Sequence, residues 1–244
     1  MNDIQQKKSR SYCILLTGTI KPSIVYALKR TSPIDRENDY YNAIKNWMKF
    51  KIPIVFCENS NFDSHKIRGL AGPDFEFIHY EESEDLTTKG KGFGEARIMN
   101  YAFQHSHLIN QSDYIIKITG RLFISNFKPI IKIAGSLDFD IMAPLENKLK
   151  WTDSRLFIFK KDFFNQYFLK YIDKINDSTG FCFERALACS IHELLADNKK
   201  WEMLPFYPRF KGFSGTYNEK YSVFRHNAWN KVIRFPLLRY LNKF

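Results

Sequence analysis

The chain has 244 residues, 44% hydrophobic and 16% aromatic, enough for a sizeable core and against a disordered chain. Its 37 Lys and Arg against 26 Asp and Glu leave a formal charge of +11, so anionic partners are expected: nucleotides, nucleic acid or a membrane surface. No apolar run approaches bilayer-spanning length, and the polar, basic first ten residues lack the apolar core of a secretory leader. A soluble or peripheral cytoplasmic protein is expected. Cys13, Cys57, Cys182 and Cys189 stand singly in apolar runs without metal-type spacing, and read as buried reduced thiols.

Residues 12–16 are a compact apolar run, a buried strand that ends in Thr17-Gly18-Thr19. Such a turn after a first strand often brings backbone N–H groups to a ligand, although any strand needs a turn. Residues 35–50 form a helix with an apolar stripe of Tyr40, Tyr41, Ile44, Trp47 and Met48, and Asp35 is its expected cap. A second strand, 53–57, closes on Glu58-Asn59-Ser60, which suits recognition of a ribose or base edge, or is simply a capped turn. A short helix at 64–70, stopped by Gly72-Pro73, and a strand at 75–79 follow, then an acidic loop at 81–85.

Residues 89–121 hold the densest signal. The turn Lys89-Gly90-Lys91-Gly92-Phe93-Gly94-Glu95 opens a helix with Ala96, Met99, Ala102 and Phe103 at helical spacing. Residues 114–118 then read as a buried strand ending in Thr119-Gly120-Arg121. Lacking the Gly-Lys-Ser/Thr ending, the turn is no Walker loop, and its acidic, polar approach excludes a dinucleotide fingerprint. A cationic loop feeding a helix N-terminus remains a suitable place for a phosphate, with Lys91 and Gly92 beside it. Glu95, in the first helical turn, reads mainly as compensation for the helix dipole. Arg121 stands at a strand's carboxyl end, where open α/β sheets bind ligands, and Arg suits bidentate phosphate contact.

A helix at 126–134, strands at 139–143 and 155–159, an aromatic helix at 163–172, a break at Gly180 and an amphipathic helix at 183–195 complete the pattern. His192 within that last helix reads as a packing residue. Residues 201–221 are irregular and basic. The alternation of strands and helices predicts an α/β fold, a mainly parallel central sheet flanked by helices, as a single domain over 1–221. Residues 222–244 form a separate basic segment. It carries Arg225, Lys231, Arg234, Arg239 and Lys243 among aromatics and no acid, which suits an anionic membrane surface or a tail helix packed on the core.

The succession of Gly-rich turn, Ala-Arg helix, aliphatic strand and polar tip resembles the nucleotide-sugar half of GT-A fold glycosyltransferases. More closely, Lys91-Gly92-Phe93-Gly94-Glu95, Ile118-Thr119-Gly120-Arg121, Asp153-Ser154-Arg155 and the Phe183-Glu184 helix resemble small bacterial glycosyltransferases of lipopolysaccharide O-antigen and capsule synthesis. The resemblance covers residues 15–193 and rests on the motifs as a set. It implies that Thr17, Gly18, Thr19, Glu58, Asn59 and Ser60 hold the nucleoside of a UDP-sugar donor, and that Lys91 and Arg121 neutralise its diphosphate. Glu184 is the implied base. Asp153 with Arg155 is placed to bind sugar hydroxyls, or forms a local salt bridge. The family's usual Asp-x-Asp metal motif is replaced by Thr119-Gly120-Arg121, so no metal or other cofactor is expected. A glycan or lipid-linked acceptor and the anionic inner-membrane surface are the further expected partners. The rival is a non-catalytic nucleic-acid-binding module, disfavoured because the charge is spread along the chain and no such motif occurs. A Rossmann-like domain without enzyme activity is a third reading.

Overall fold

The computed structural model describes residues 10–23, 28–82 and 86–221, together with Leu237 and Tyr240. The expectation for the basic segment 222–244 lies, apart from those two residues, outside the described part.

The chain builds β1 (Tyr12–Gly18), α1 (Pro33–Trp47), β2 (Ile54–Glu58), β3 (Phe75–His79), α2 (Lys91–His105), β4 (Tyr114–Thr119), α3 (Phe127–Ser136), β5 (Ile141–Met142), β6 (Leu156–Lys160), α4 (Phe183–Ala196) and β7 (Trp201–Glu202). The seven strands form one sheet in the order β7-β5-β6-β4-β1-β2-β3. β1 pairs in parallel with β2 and β4, β2 with β3, and β7 with β5. Strand β6 is antiparallel to both its neighbours, so the sheet is mainly parallel, as the alternation of elements predicts. Chain order leaves β1 toward β2 and β3 and returns on its other side at β4. Between β1 and β4 lies the crevice at which α/β sheets bind ligands.

Strand periodicity sorts the core into two faces. Ile14, Leu16, Ile116 and Ile118 face α1 and α3, where Trp47 meets Phe127 edge-on with centroids 4.9 Å apart. Cys13, Leu15, Ile115 and Phe157 face α2 and α4. All four cysteines are free thiols, two of them fully buried, and burial pushes the Cys13 thiol up to about 12.

Several local expectations are corrected. Ser32, not Asp35, caps α1: its hydroxyl accepts from the Asp35 amide at 3.3 Å, and Pro33 starts the helix with its φ preset. The aromatic run expected as a helix is one α turn, a π segment at Phe164–Phe168 and a 3-10 segment at Leu169–Lys174, because its rings pack inward on successive residues. Two short pairings went unread in the sequence: a hairpin of Leu145–Glu146 with Trp151–Thr152, and Phe123–Ile124 against Phe210–Lys211. The second folds the irregular 207–221 segment back over the carboxyl ends of the strands.

Where β1 and β4 end, a Cβ on Gly120 would lie 2.7 Å from the Thr17 carbonyl oxygen and 3.2 Å from the Tyr40 ring. Backbone cannot yield there as a flexible side chain would. Gly120→Ala is therefore expected to cost about 1–3 kcal/mol. For a domain of this size each kcal/mol lowers the midpoint by roughly 2–4 °C, which a thermal melt reads directly.

Candidate active site

A cleft of about 320 Å³ opens at the carboxyl ends of β1, β2 and β4. Thr17, Gly18, Thr19, Asn59, Lys91, Arg121, Arg155 and Glu184 line it, so eight residues singled out in the sequence meet at one place. Glu58, Ser60, Gly92 and Asp153 are not among its lining residues, and each has another task.

Glu58 is fully buried and works as a hub for loops. One carboxylate oxygen accepts from the Ile20 amide at 2.7 Å, the Ser60 amide at 3.0 Å and the Ser60 hydroxyl; the other accepts from the Phe62 amide at 3.0 Å. Burial pushes this carboxyl up, and those hydrogen bonds draw it part of the way back. Ser60 Oγ in turn accepts from the Lys21 amide at 2.9 Å. Glu58 and Ser60 thus tie the loop after β1 to the tip of β2 from behind the cleft wall. Thr19 and Asn59 are joined at 2.6 Å on the cleft side.

Gly92 offers its amide to Asp177 Oδ2 at 3.0 Å, so the start of α2 already holds a carboxylate of this chain. A Cβ there would come within 2.6 Å of Asp177 and 3.0 Å of the Phe183 amide, hence the glycine. Lys89 turns away as well, with its ammonium over the Phe93 ring at 4.5 Å. Lys91, the first residue of α2, does reach the cleft and donates to Thr216 Oγ1 at 3.3 Å. Burial lowers its pKa; Asp177 opposes the shift, Arg121 adds to it and Glu184 opposes it. Arg121 is held by its Nε–H on the Phe213 carbonyl at 2.9 Å. Its terminal amino groups are left to the cleft, close against Gly215.

Asp153 and Arg155 form the local salt bridge, with Arg155 Nε–H donating to Asp153 Oδ1 at 2.8 Å and the guanidinium 4.2 Å above the Phe210 ring. Asp153 is thereby bound to Arg155, which fixes Arg155 in the cleft wall. His192, read as a packing residue, is instead exposed on α4, where its ring bonds the Leu149 carbonyl at 2.8 Å.

Four participants were not named as site residues from the sequence. Arg36 is almost fully buried, lines the cleft and donates to the Thr19 and Arg30 carbonyls at 2.6 and 3.1 Å and to Tyr40 Oη at 3.0 Å. It has no carboxylate partner among the described residues. Lys117 is 0% exposed in the middle of β4, ion-paired with Glu95 and donating to the Ser154 carbonyl at 2.6 Å. Glu95 lines the cleft and accepts from Thr17 Oγ1 at 3.0 Å. The 213–220 loop supplies Gly215 and Thr216 as the cleft's lip, anchored where Gly215 O accepts from the Lys29 and Arg30 amides, each at 3.1 Å. A lysine inside an otherwise apolar strand was the readable signal for Lys117; nothing local marks Arg36.

The cleft therefore has a cationic wall of Lys91, Arg121, Arg36 and Arg155 and two carboxylates, Glu95 and Glu184. Glu184, in the first turn of α4, accepts from Ser154 Oγ at 2.8 Å. Burial pushes its carboxyl up, Ser154 pulls it back in part, and the Glu95 charge raises it again. No group of three His, Cys, Asp or Glu side chains suited to a metal occurs among the described residues. At the tip of β4, Arg121 would repel a divalent ion.

No protein-family model matches the chain, and no curated protein matches it. Solved structures of similar arrangement include one from Desulfovibrio desulfuricans G20 described as a nucleotide-diphospho-sugar transferase, 14% identical over 79% of each chain with a TM-score of 0.46. The glycosyltransferase GlyE of Streptococcus pneumoniae TIGR4 is 10% identical over 80% of this chain and 45% of its own, at 0.49. The 4-diphosphocytidyl-2C-methyl-D-erythritol synthase of Anaerococcus prevotii DSM 20548 is 10% identical over 93% and 97%, also at 0.49.

Because burial disfavours only the charged form of Glu184, the folded chain holds that proton to higher pH than the unfolded chain does. Glu184 therefore weakens the fold as pH rises through its raised pKa, and the penalty vanishes below the unfolded carboxylate range. Glu184→Gln should raise the melting midpoint at pH 7, by roughly 2–4 °C for each kcal/mol of charge burial removed. The gain should shrink toward zero in acid, which paired melts at the two pH values measure.

Proposed function

We propose that the chain is a glycosyltransferase that moves a sugar from a nucleoside diphosphate donor, UDP-linked, to an acceptor hydroxyl without a metal ion. The observation that carries this reading is the cleft itself. At the β1/β4 switch point fixed cations and two carboxylates line one cleft, and a diphosphate leaving group requires such positive charge as its bond to the sugar breaks.

In this mechanism the nucleoside lies along the loop after β1, against Thr17, Gly18, Thr19 and Asn59. Lys91 and Arg121 take the diphosphate, with the buried charge of Arg36 behind the loop. As the glycosidic oxygen departs, negative charge grows on the β-phosphate, and cations already oriented by Phe213 and Thr216 stabilise it without reorganising. Glu184 accepts the proton of the attacking hydroxyl. Its raised pKa supports that role, since a base works best with a pKa nearer the operating pH. A surface glycan of a bacterium, built on a lipid-linked acceptor at the cytoplasmic face of the inner membrane, is the acceptor the motif resemblance favours. Among the described residues no helix is long and apolar enough to cross a membrane, so attachment is assigned to the basic segment 222–244.

Calorimetry with UDP on the full chain tests the donor site. Lys91→Ala and Arg121→Ala should each weaken UDP binding by roughly 10–100-fold, the worth of a charge-assisted contact. Unchanged affinity in the arginine variant would sink the assignment. Glu184→Gln should keep UDP affinity while losing about 10²–10⁴-fold in turnover. Turnover should survive exhaustive chelation, and its total loss in chelator would overturn the metal-free reading. Deleting residues 222–244 should release the protein from vesicles containing anionic lipid while UDP binding persists; undiminished vesicle binding would refute that anchor.

A further inference from the structure

Glu95 and Lys117 make a unit that the donor reading does not use. Lys117 is buried to 0% exposure in the centre of the sheet, with its ammonium 5.3 Å from the Phe183 ring centroid and 5.7 Å from that of Phe157. Its polar partners are Glu95 Oε1 and the Ser154 carbonyl. It is not among the residues that line the cleft. Glu95 Oε1 also accepts from Thr17 Oγ1, so that oxygen is fully committed. Glu95 Oε2 has no hydrogen-bond partner among the described residues, and the side chain, 22% exposed, belongs to the cleft wall. The carboxylate is thus clamped by one oxygen and offers the other.

Its position along α2 says what it is offered to. Lys91 and Glu95 are four residues apart, on one face of the helix and roughly 6 Å apart along its axis. That is about the length of one pyranose ring. With both side chains lining the cleft, a sugar whose phosphate sits on Lys91 is within reach of Glu95. Sugar hydroxyls are donors, and a fixed carboxylate is their strongest acceptor.

Resting on the donor reading above, we infer that Glu95 binds the hydroxyls of the transferred sugar through Oε2, and that Lys117 is the positioning residue that holds it there. Glu184 is then left free for the proton. The two carboxylates of the cleft divide their work by environment: Glu95 is locked to a buried ammonium, whereas Glu184 is held by a hydroxyl.

The test compares affinity of the full chain for UDP with that for UDP-glucose, UDP-galactose and UDP-N-acetylglucosamine. Glu95→Gln should leave UDP binding within about twofold and lower the ratio of UDP-sugar to UDP affinity by roughly 10–100-fold for the preferred sugar. Lys117→Met should lower the same ratio and also the melting midpoint, because it strands the Glu95 charge. The double variant E95Q/K117M should regain stability without regaining the ratio, so a poorly folding single variant leaves the idea exposed to refutation. A merely structural ion pair would move the midpoint and leave the ratio alone. An unchanged ratio in E95Q, or in the refolded double variant, overturns the inference. A wild-type chain that binds neither UDP nor any UDP-sugar overturns the donor reading itself and this assignment with it.

Discussion

An ammonium group stands at the centre of a β-sheet with no access to water, and much of the cleft is arranged around it. Removing the lysine from solvent costs several kcal/mol even after relaxation, and an apolar residue would often serve stability as well or better. Lys117 is held by Glu95, the Ser154 carbonyl and two aromatic rings, so the penalty is met by near-complete coordination. Those partners come from α2, from the turn before β6, from β6 itself and from α4. One cation thereby sets the spacing of three elements that carry cleft residues: Glu95 on α2, Ser154 and Arg155 beside β6, and Glu184 on α4.

A second constraint works at the other wall. The loops after β1 and β2 would be loosely placed by their own sequence, and Glu58 binds them with four backbone or hydroxyl donors on a single buried carboxylate. Asp177 does similar work at the start of α2, filling a helix N-terminus that would otherwise attract an anion. The cations that reach the cleft are side chains, Lys91 and Arg121, each held by the 213–220 loop. Acids that build loops thus stand behind the wall, while cations and the carboxylates Glu95 and Glu184 line the cleft together.

Much of this was legible along the chain. Compact apolar runs marked the buried parallel strands β1 and β4, and Gly18 and Gly120 at their ends marked the turns that form the cleft. Lys91, Arg121 and Glu184 could be named because each sits at the start of a helix or the end of a strand, where parallel topology places ligands. The resemblance carried by Ile118-Thr119-Gly120-Arg121 and its companion motifs pointed at the same wall. Glu58 and Gly92 were misplaced for one reason: position at a strand tip or helix start does not tell whether a group faces ligand or its own loop.

The sequence by itself determined the α/β architecture, the strand ends at which a site must form and the sign of the charge expected there, because periodicity and turn chemistry act over a few residues. Only the tertiary structure decided which charges are free. Asp153 and Arg155 lie two residues apart, and of their two readings the fold selects the mutual salt bridge. Arg36, Lys117, Glu95 and the lip at Gly215 acquire their places through partners tens of residues away, from Thr17 to Ser154. Burial and pairing are sums over such distant neighbours, and no local pattern encodes them.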